Sequence, residues 1–521
     1  MSPLHNRLIL KTLVIIVVVT CGYLIGSSWK EKNEKIEPVT TVRSEHHNLT
    51  LDLTDPTAAY VDIGEGVVQM SRFNKENFSY VEEEEDEKYN VKSYNCFVDD
   101  WNKVHTDTLP LAQLHSKWMK NNISRNNYLY HTTPSPLAAF VHEQQIVVTL
   151  TAENMFGKTV YCRYFDCNRR EIPEVFQSVV YPESTVYCGR RVGAKYISIS
   201  ESIDDKPEPP VPLQSRITKG LQHYFTVCMA TLYGEEPKFV QIVDFIEYHK
   251  LQGATFFHIY LRNASAYDRI LLDDYVRTGE IELIVLNDHY WRADFMWHMM
   301  QINDCHMRSQ NFSKWTAFLD IDERIEMKKD WRIVDFLDTI TNPNINNLQI
   351  SVQWVLKDEW SPTKFEHDQQ FTENLVFKRF HNSSRVGDYW IQPKSIIRPD
   401  RVGAMTIHVP LAVYKGFIKT YLNATIGVVR HYRNVDGGAL VNNNKRAFNM
   451  GPYSRTDINP NVEEKLTEAC LSRVKMIYDT VNYSCEKMQE MYHVHGLTHD
   501  CYRKQLAEKR LAEMKDQQIL I

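Results

Sequence analysis

The sequence predicts an α/β protein: a mostly parallel sheet flanked by helices, preceded by a small β-rich domain. Three observations predict it. Beyond residue 220, strand-like and helix-like stretches alternate. The strand-like stretches are continuous apolar runs, as in a parallel sheet covered on both faces. Residues 93–203 instead carry short runs rich in Val, Tyr, Ile and Thr, spaced by turn residues.

In the β-rich part these runs are "QQIVVTLTA", "TVYCRYFDC", "FQSVVYP", "TVYCGRR" and "KYISIS". Cys162 and Cys188 each sit in a "VYC" triplet and are expected to pair across the small domain. The linker assigned to 204–220 opens with "DDKPEPPVPLQ", where the prolines argue against both helix and sheet. In 221–455, "YFTVCMATLY" reads as the first buried strand. Next, "EPKFVQIVDFIEYHKLQG" places Phe239, Ile242, Val243 and Ile246 on one helical face, with Gly253 as a left-handed stop. "ATFFHIYLRN" and "IELIVLN" are further strands, with a helix near Ala266–Thr278 between them. A helical stretch near Met296–Arg308 then leads to the strand "WTAFLDID". The segment 456–521 reads as largely helical and charged.

The N-terminus carries an address. Residues 1–11 are a short basic tail, and Thr12–Gly26 is an apolar run without charge. As a helix it spans only about 23 Å at 1.5 Å per residue, short of a roughly 30 Å hydrocarbon core. It is read as a short uncleaved anchor with the basic end in the cytosol, suited to the thinner membranes of the early secretory route. A cleaved signal peptide is the alternative, since small residues at Gly26–Ser28 follow it. Either reading places the remainder in the secretory lumen. Eight sequons agree, at Asn48, Asn77, Asn122, Asn263, Asn311, Asn382, Asn423 and Asn482. Residues 27–92 are polar, end in the acidic run Glu82–Glu87, and read as an extended stem. Of ten cysteines one lies in the apolar run, so disulfides plus at least one unpaired thiol are expected.

A net charge of −6 over 521 residues leaves no basic footprint, so nucleic acid is not an expected partner. The chemistry concentrates where "WTAFLDID" ends. In an extended strand Asp320 and Asp322 point the same way, about 7 Å apart, while Ile321 points into packing. Ligands of open parallel sheets bind beyond the carboxyl ends of the strands. Paired carboxylates there repel unless a cation neutralises them, and a hard divalent ion does so while keeping positions open for phosphate oxygens. An acidic surface turn is the competing reading. No phosphate loop of the G-x-x-x-x-G-K-[ST] type is present.

Several ordered motifs, "VCMATLYGEEPKFVQIVDFIEYHKLQGATFFHIYL", "LLDDYVRTGEIELI", "INDCHMRSQNFSKWTAFLDIDE", "PKSIIRP", "IHVP" and "VVRHYRN", together resemble glycosyltransferase family 92. This is a family of lumenal enzymes that includes a β-1,4-galactosyltransferase acting on the core fucose of N-glycans. The resemblance covers about Tyr224–Arg433, and more loosely the β-rich region before it, and implies a GT-A-like fold, a UDP-sugar donor, UDP-galactose first among them, and Mn²⁺ or Mg²⁺ held through D-x-D. It implies Asp320 and Asp322 as metal and diphosphate ligands, with His408 and His431 as further metal or diphosphate contacts; structural histidines are the alternative for these two. It also implies Arg398 as a phosphate contact; pairing with Asp400 is the alternative. Golgi residence as a single-pass type II protein, with a glycan or glycoprotein acceptor, goes with the resemblance; secretion is the alternative. Inverting transfer needs a carboxylate base, and Glu323, Asp358, Glu359 and Glu366 are candidates. Trp354, Trp360 and Trp390 are candidates for stacking on sugars. Met296-Trp297-His298 stands where the family shows His-Gly-Gln, and Asp322-Glu323-Arg324 where it shows Asp-Glu-Phe. A catalytically silent glycan-binding scaffold on the same fold is the rival expectation.

Overall fold

The computed structural model describes residues 96–109, 133–153, 155–234, 236–292, 297–328, 331–357, 361–434 and 452–480, with a few short stretches elsewhere. The apolar run Thr12–Gly26 and most of the stem lie outside them. Among the described residues no helix is long and apolar enough to cross a membrane.

The larger body is α/β, as expected. Its strands are β1 (His223–Leu232), β2 (Phe256–Leu261), β3 (Ile281–Val285), β4 (Ser313–Leu319), β6 (Ile345–Ile350), β8 (Lys394–Ile397) and β9 (Ile418–Leu422). They lie in the order β9-β6-β8-β4-β1-β2-β3. All neighbours run parallel except β8, which is antiparallel to both β4 and β6. Strand order reverses beside β1, where β2 and β4 flank it. A crevice for a ligand opens at such a switch point, at the carboxyl ends of the strands.

Helix α1 (Phe239–Leu251) follows from its pattern: Phe239, Ile242, Val243 and Ile246 are fully buried. Gly253 ends it with φ +95°, and a Cβ there would meet Val334 Cγ1 at 2.3 Å. Position and space both require glycine. Helices α2 (Ala266–Arg277) and α3 (Trp297–Ser309) complete the crossovers. The expected C-terminal helix is α4 (Pro460–Lys475). It is no separate unit, because Leu466, Cys470 and Val474 enter the same core as α1.

A second sheet takes up the chain where β4, β6 and β9 of the first end. It consists of β5 (Glu323–Met327), β10 (Gly427–Asn434), β7 (Val352–Lys357) and the strands Asn382–Val386 and Ser454–Arg455, in that order. The chain passes from β4 in the first sheet to β5 in the second through Asp320-Ile321-Asp322.

The β-rich domain is a sheet around its own core. Cys162 and Cys188 are disulfide-bonded as expected, and Cys96 pairs with Cys167. Among the described residues Cys470 is an unpaired thiol, and it is buried. One expectation fails here, because the proline-rich linker contributes the strand Val211–Ser215 to the sheet. Pro212 is tolerated because it pairs only with Tyr196 on one side, and pairing with the strand Pro136–Val141 starts at Leu213. The two domains share a buried polar contact, Thr149 Oγ1 donating to Asp304 Oδ1 at 2.5 Å.

Candidate active site

The two aspartates come together by a different route from the one expected. Asp320 and Asp322 are not successive same-side residues of an extended strand. They bracket a tight turn closed by the Glu323 N–H donating to the Asp320 carbonyl at 3.0 Å. The turn lies at the carboxyl end of β4, beside the switch point. Both side chains keep partial access to solvent, 23% for Asp320 and 18% for Asp322.

The second sheet supplies His431. In the register of β5, β10 and β7, His431 sits between Glu323 on one side and Trp354 on the other. Glu323 Oε1 lies 3.3 Å from His431 Nδ1, and the Trp354 ring stacks on the imidazole at 4.5 Å between centroids. That fixes the ring with Nε2 3.3 Å from Asp322 Oδ2. Ligand atoms of Asp320, Asp322 and His431 all lie within 4.8 Å of one another. Arg433, two residues on and so on the same face of β10, places Nη1 3.3 Å from Asp322 Oδ2.

From the first sheet comes Lys394, the first residue of β8. Its ammonium is nearly closed off from solvent, 3.1 Å from Asp320 Oδ2 and 3.0 Å from Glu323 Oε2. From α3 comes His298, whose Nε2 lies 3.5 Å from Asp320 Oδ1. The disulfide Cys228–Cys305 ties α3 to β1 two helical turns from His298, on the same helix face.

The electrostatics follow from three acids enclosed together. Burial pushes the Asp320 carboxyl up, but Lys394 and His298 outweigh it and hold its pKa below the usual range. Burial likewise opposes the charge on Asp322, and His431, Arg433 and Lys394 more than offset it. Glu323 differs: burial dominates, Asp320 and Asp322 add to it, and its pKa rises. Lys394 loses hydration, yet the adjacent carboxylates raise its pKa above normal. Burial, with Lys394 nearby, lowers His408 to about 4, so that imidazole is neutral near pH 7.

The residues fit a divalent cation. Two carboxylates and an imidazole form a hard, mixed O/N donor set, and neither Asp320 Oδ1 nor the His431 ring nitrogens form well-directed hydrogen bonds.

Other expected site residues fall elsewhere. Arg398 is at the wrong end of β8: it follows Ile397, which pairs with Thr316, and its guanidinium lies over Trp315, 5.6 Å from the ring centre. An antiparallel strand carries its first residue to the aspartates and its last about 14 Å away, so Lys394 takes the place expected of Arg398. Arg398 instead approaches Asp400 at 3.9 Å. His408 is a neighbour rather than a member of the donor group, with Nδ1 3.1 Å from the Pro393 carbonyl. Glu323 is fully enclosed and accepts from the Asp320 N–H at 2.8 Å, so it orients the turn and cannot meet an incoming hydroxyl. Glu366 is exposed beside the short helix Asp368–Glu373, and its described contact is to Gln370. Asp358, Glu359, Trp360 and Met296 lie outside the described residues. Trp354 is wholly buried against His431 and unavailable to a sugar, whereas Trp390 is 60% exposed.

The comparisons agree with this site at the level of family. Residues 223–466 match the model of glycosyltransferase family 92. That stretch is thus similar to glycosyltransferase family 92, a family whose activity class is glycosyl transfer. No curated protein matches the chain. Among solved structures, HddC from Yersinia pseudotuberculosis is 12% identical, covering 47% of this chain and 98% of its own, with a TM-score of 0.19. A mannosyltransferase from Pyrobaculum calidifontis, in complex with GDP-Man and Mn²⁺, is 10% identical over 56% of this chain and 80% of its own, with a TM-score of 0.23. Overlaps this low carry no argument about the site.

Proposed function

We propose that this protein is a metal-dependent, inverting hexosyltransferase that moves galactose from UDP-galactose to a glycan or glycoprotein acceptor. The observation that carries the reading is the convergence of Asp320, Asp322 and His431, from two sheets, on one point at the carboxyl end of β4. These three would hold the cation, Mn²⁺ or Mg²⁺. When bound, it supplies Lewis-acid stabilisation of a departing diphosphate.

The chain's own residues do the rest. Asp320, Asp322 and Glu323 carry three negative charges when ionised, and Lys394 and Arg433 return two positive ones. The net single negative charge attracts a divalent ion, and the ensemble then turns positive toward a diphosphate. Glu323 and Trp354 hold the His431 ring, and Lys394 holds Asp320 through Oδ2, leaving Oδ1 without a well-directed hydrogen bond. Inversion requires an acceptor hydroxyl to approach from the side opposite the diphosphate and to lose its proton to a carboxylate. Of the acids weighed for that role, Asp358 follows directly on β7, the strand that brings Trp354 against His431.

The lumenal setting belongs to the same proposal. The apolar run Thr12–Gly26 would anchor the chain in the Golgi membrane, with the glycosylated domains in the lumen. Sequon residues Asn263, Asn311 and Asn382 are exposed, as attachment of a glycan requires.

A second reading has one observation in its favour. Lys394 and Arg433 already neutralise Asp320 and Asp322 from within, as suits a silent glycan-binding scaffold that needs no ion. Incubating the purified lumenal chain with a panel of UDP-sugars and Mn²⁺ separates the two. The transferase reading expects UDP release fastest from UDP-galactose, and no release from any donor sinks it.

A further inference from the structure

We propose that Trp390, backed by Tyr389 and Tyr421, is the platform on which a neutral pyranose of the acceptor glycan stacks; this rests on the transferase reading. Trp390 and Tyr389 are 60% and 43% exposed, a large aromatic surface left to water on one short loop. Their rings meet edge to face at 4.6 Å, and Tyr389 in turn lies 4.5 Å from the Tyr421 ring.

The loop is held in place. The Gly387 N–H donates to the Val352 carbonyl at 2.8 Å, and the Ile391 N–H to the Asp388 carbonyl at 2.9 Å. Gln349 Nε2 donates to the Tyr389 carbonyl at 2.6 Å, and His408 Nδ1 lies against the Pro393 carbonyl. An aromatic pair on a braced loop loses little freedom when a ligand lands on it, which favours binding.

Its place in the fold identifies the occupant. Trp390 precedes Lys394 by four residues, a span of at most about 14 Å, and Lys394 touches Asp320. On the transferase reading the nucleotide would enter at the switch point, on the β1, β2 and β3 side of the aspartates. Tyr389 is tied to Gln349 of β6 and Tyr421 of β9, on the other side. A group approaching the donor sugar from opposite its diphosphate comes from that side. A pyranose offers an apolar C–H face that stacks on indole, and the exposed Asp388, two residues before Trp390, is an acceptor available to its hydroxyls.

The test uses the whole lumenal chain and two probes: an uncharged released biantennary N-glycan, titrated by saturation-transfer NMR, and UDP with Mn²⁺, titrated by calorimetry. Trp390→Ala should weaken glycan binding about tenfold, the scale of one aromatic stack, and leave UDP binding unchanged. Trp390→Phe, which keeps a ring face, should restore most of it. Glycan binding by Trp390→Ala equal to wild type overturns the platform, as does a wild type that does not bind the glycan. Loss of self-association in Trp390→Ala with glycan binding intact assigns the surface to a second copy and also overturns it. Glycan binding through Trp390 without any UDP binding upholds the platform and overturns the transferase reading instead.

Discussion

Lys394 bridges two acids of one turn, its Nζ 3.1 Å from Asp320 Oδ2 and 3.0 Å from Glu323 Oε2, with the Lys394 side chain only 3% exposed. Replacing it with methionine keeps the volume but strands two enclosed carboxylates. Removing one partner of a buried ion pair costs about 3–5 kcal/mol. Lys394→Met should therefore unfold at clearly lower urea concentration than wild type. An unchanged midpoint would mean that the ammonium contributes nothing to holding the turn.

The Trp354 ring stacks on His431 and restrains a ring whose other side meets Glu323. Groups that orient a ligand typically change metal affinity by about 10–100-fold when removed. Trp354→Leu should weaken Mn²⁺ binding by roughly tenfold or more, without removing any donor atom. Calorimetry with Mn²⁺ alone, alongside circular dichroism to establish folding, reads this directly. Wild-type affinity in a folded Trp354→Leu protein would free His431 from the cation site.

The Cys162–Cys188 bond closes a loop with a sequence separation of 26 inside the β-rich core. Loop-closure entropy for that length corresponds to about 3–4 kcal/mol. Replacing both cysteines by serine should lower the thermal midpoint of this domain and expose it to protease first. Equal protease resistance would place its stability elsewhere.

Glu153, in the β-rich domain, has its carboxyl pushed up to about 7 by burial and by the nearby Glu183, against Arg292. A carboxyl with a raised pKa binds more protons folded than unfolded between the two pKa values. Its contribution to stability is therefore present below about pH 4.5 and is lost as pH rises to about 7. Glu153→Gln should flatten the pH dependence of stability between pH 5 and about 7. A profile identical to wild type would show that Glu153 is not the titrating group.

Much of this was legible in the sequence because it is local. The apolar run ending in Asp320 and Asp322, the α1 face with its Gly253 stop, and the paired "VYC" cysteines each declare themselves within a few residues. His431 came from a motif match. What was not legible is what strand register decides. Nothing near Lys394 in the chain places it on Asp320. It gets there because β8 runs antiparallel to its neighbours, and the same reversal carries Arg398 away. The proline-rich stretch before Leu213 hid a strand because Pro212 needs a partner on one side only. Glu323 read as a candidate base because a sequence does not reveal enclosure.

The central claim is that Asp320 and Asp322 hold a cation that in turn holds a nucleotide sugar. Its most direct test is calorimetric titration of UDP-galactose into the wild-type chain and into Asp322→Ala, each with and without Mn²⁺. The account predicts binding by wild type only when Mn²⁺ is present, and none by a folded Asp322→Ala protein. Equal Mn²⁺-dependent affinity in both proteins, or wild-type affinity indifferent to the ion, would contradict it.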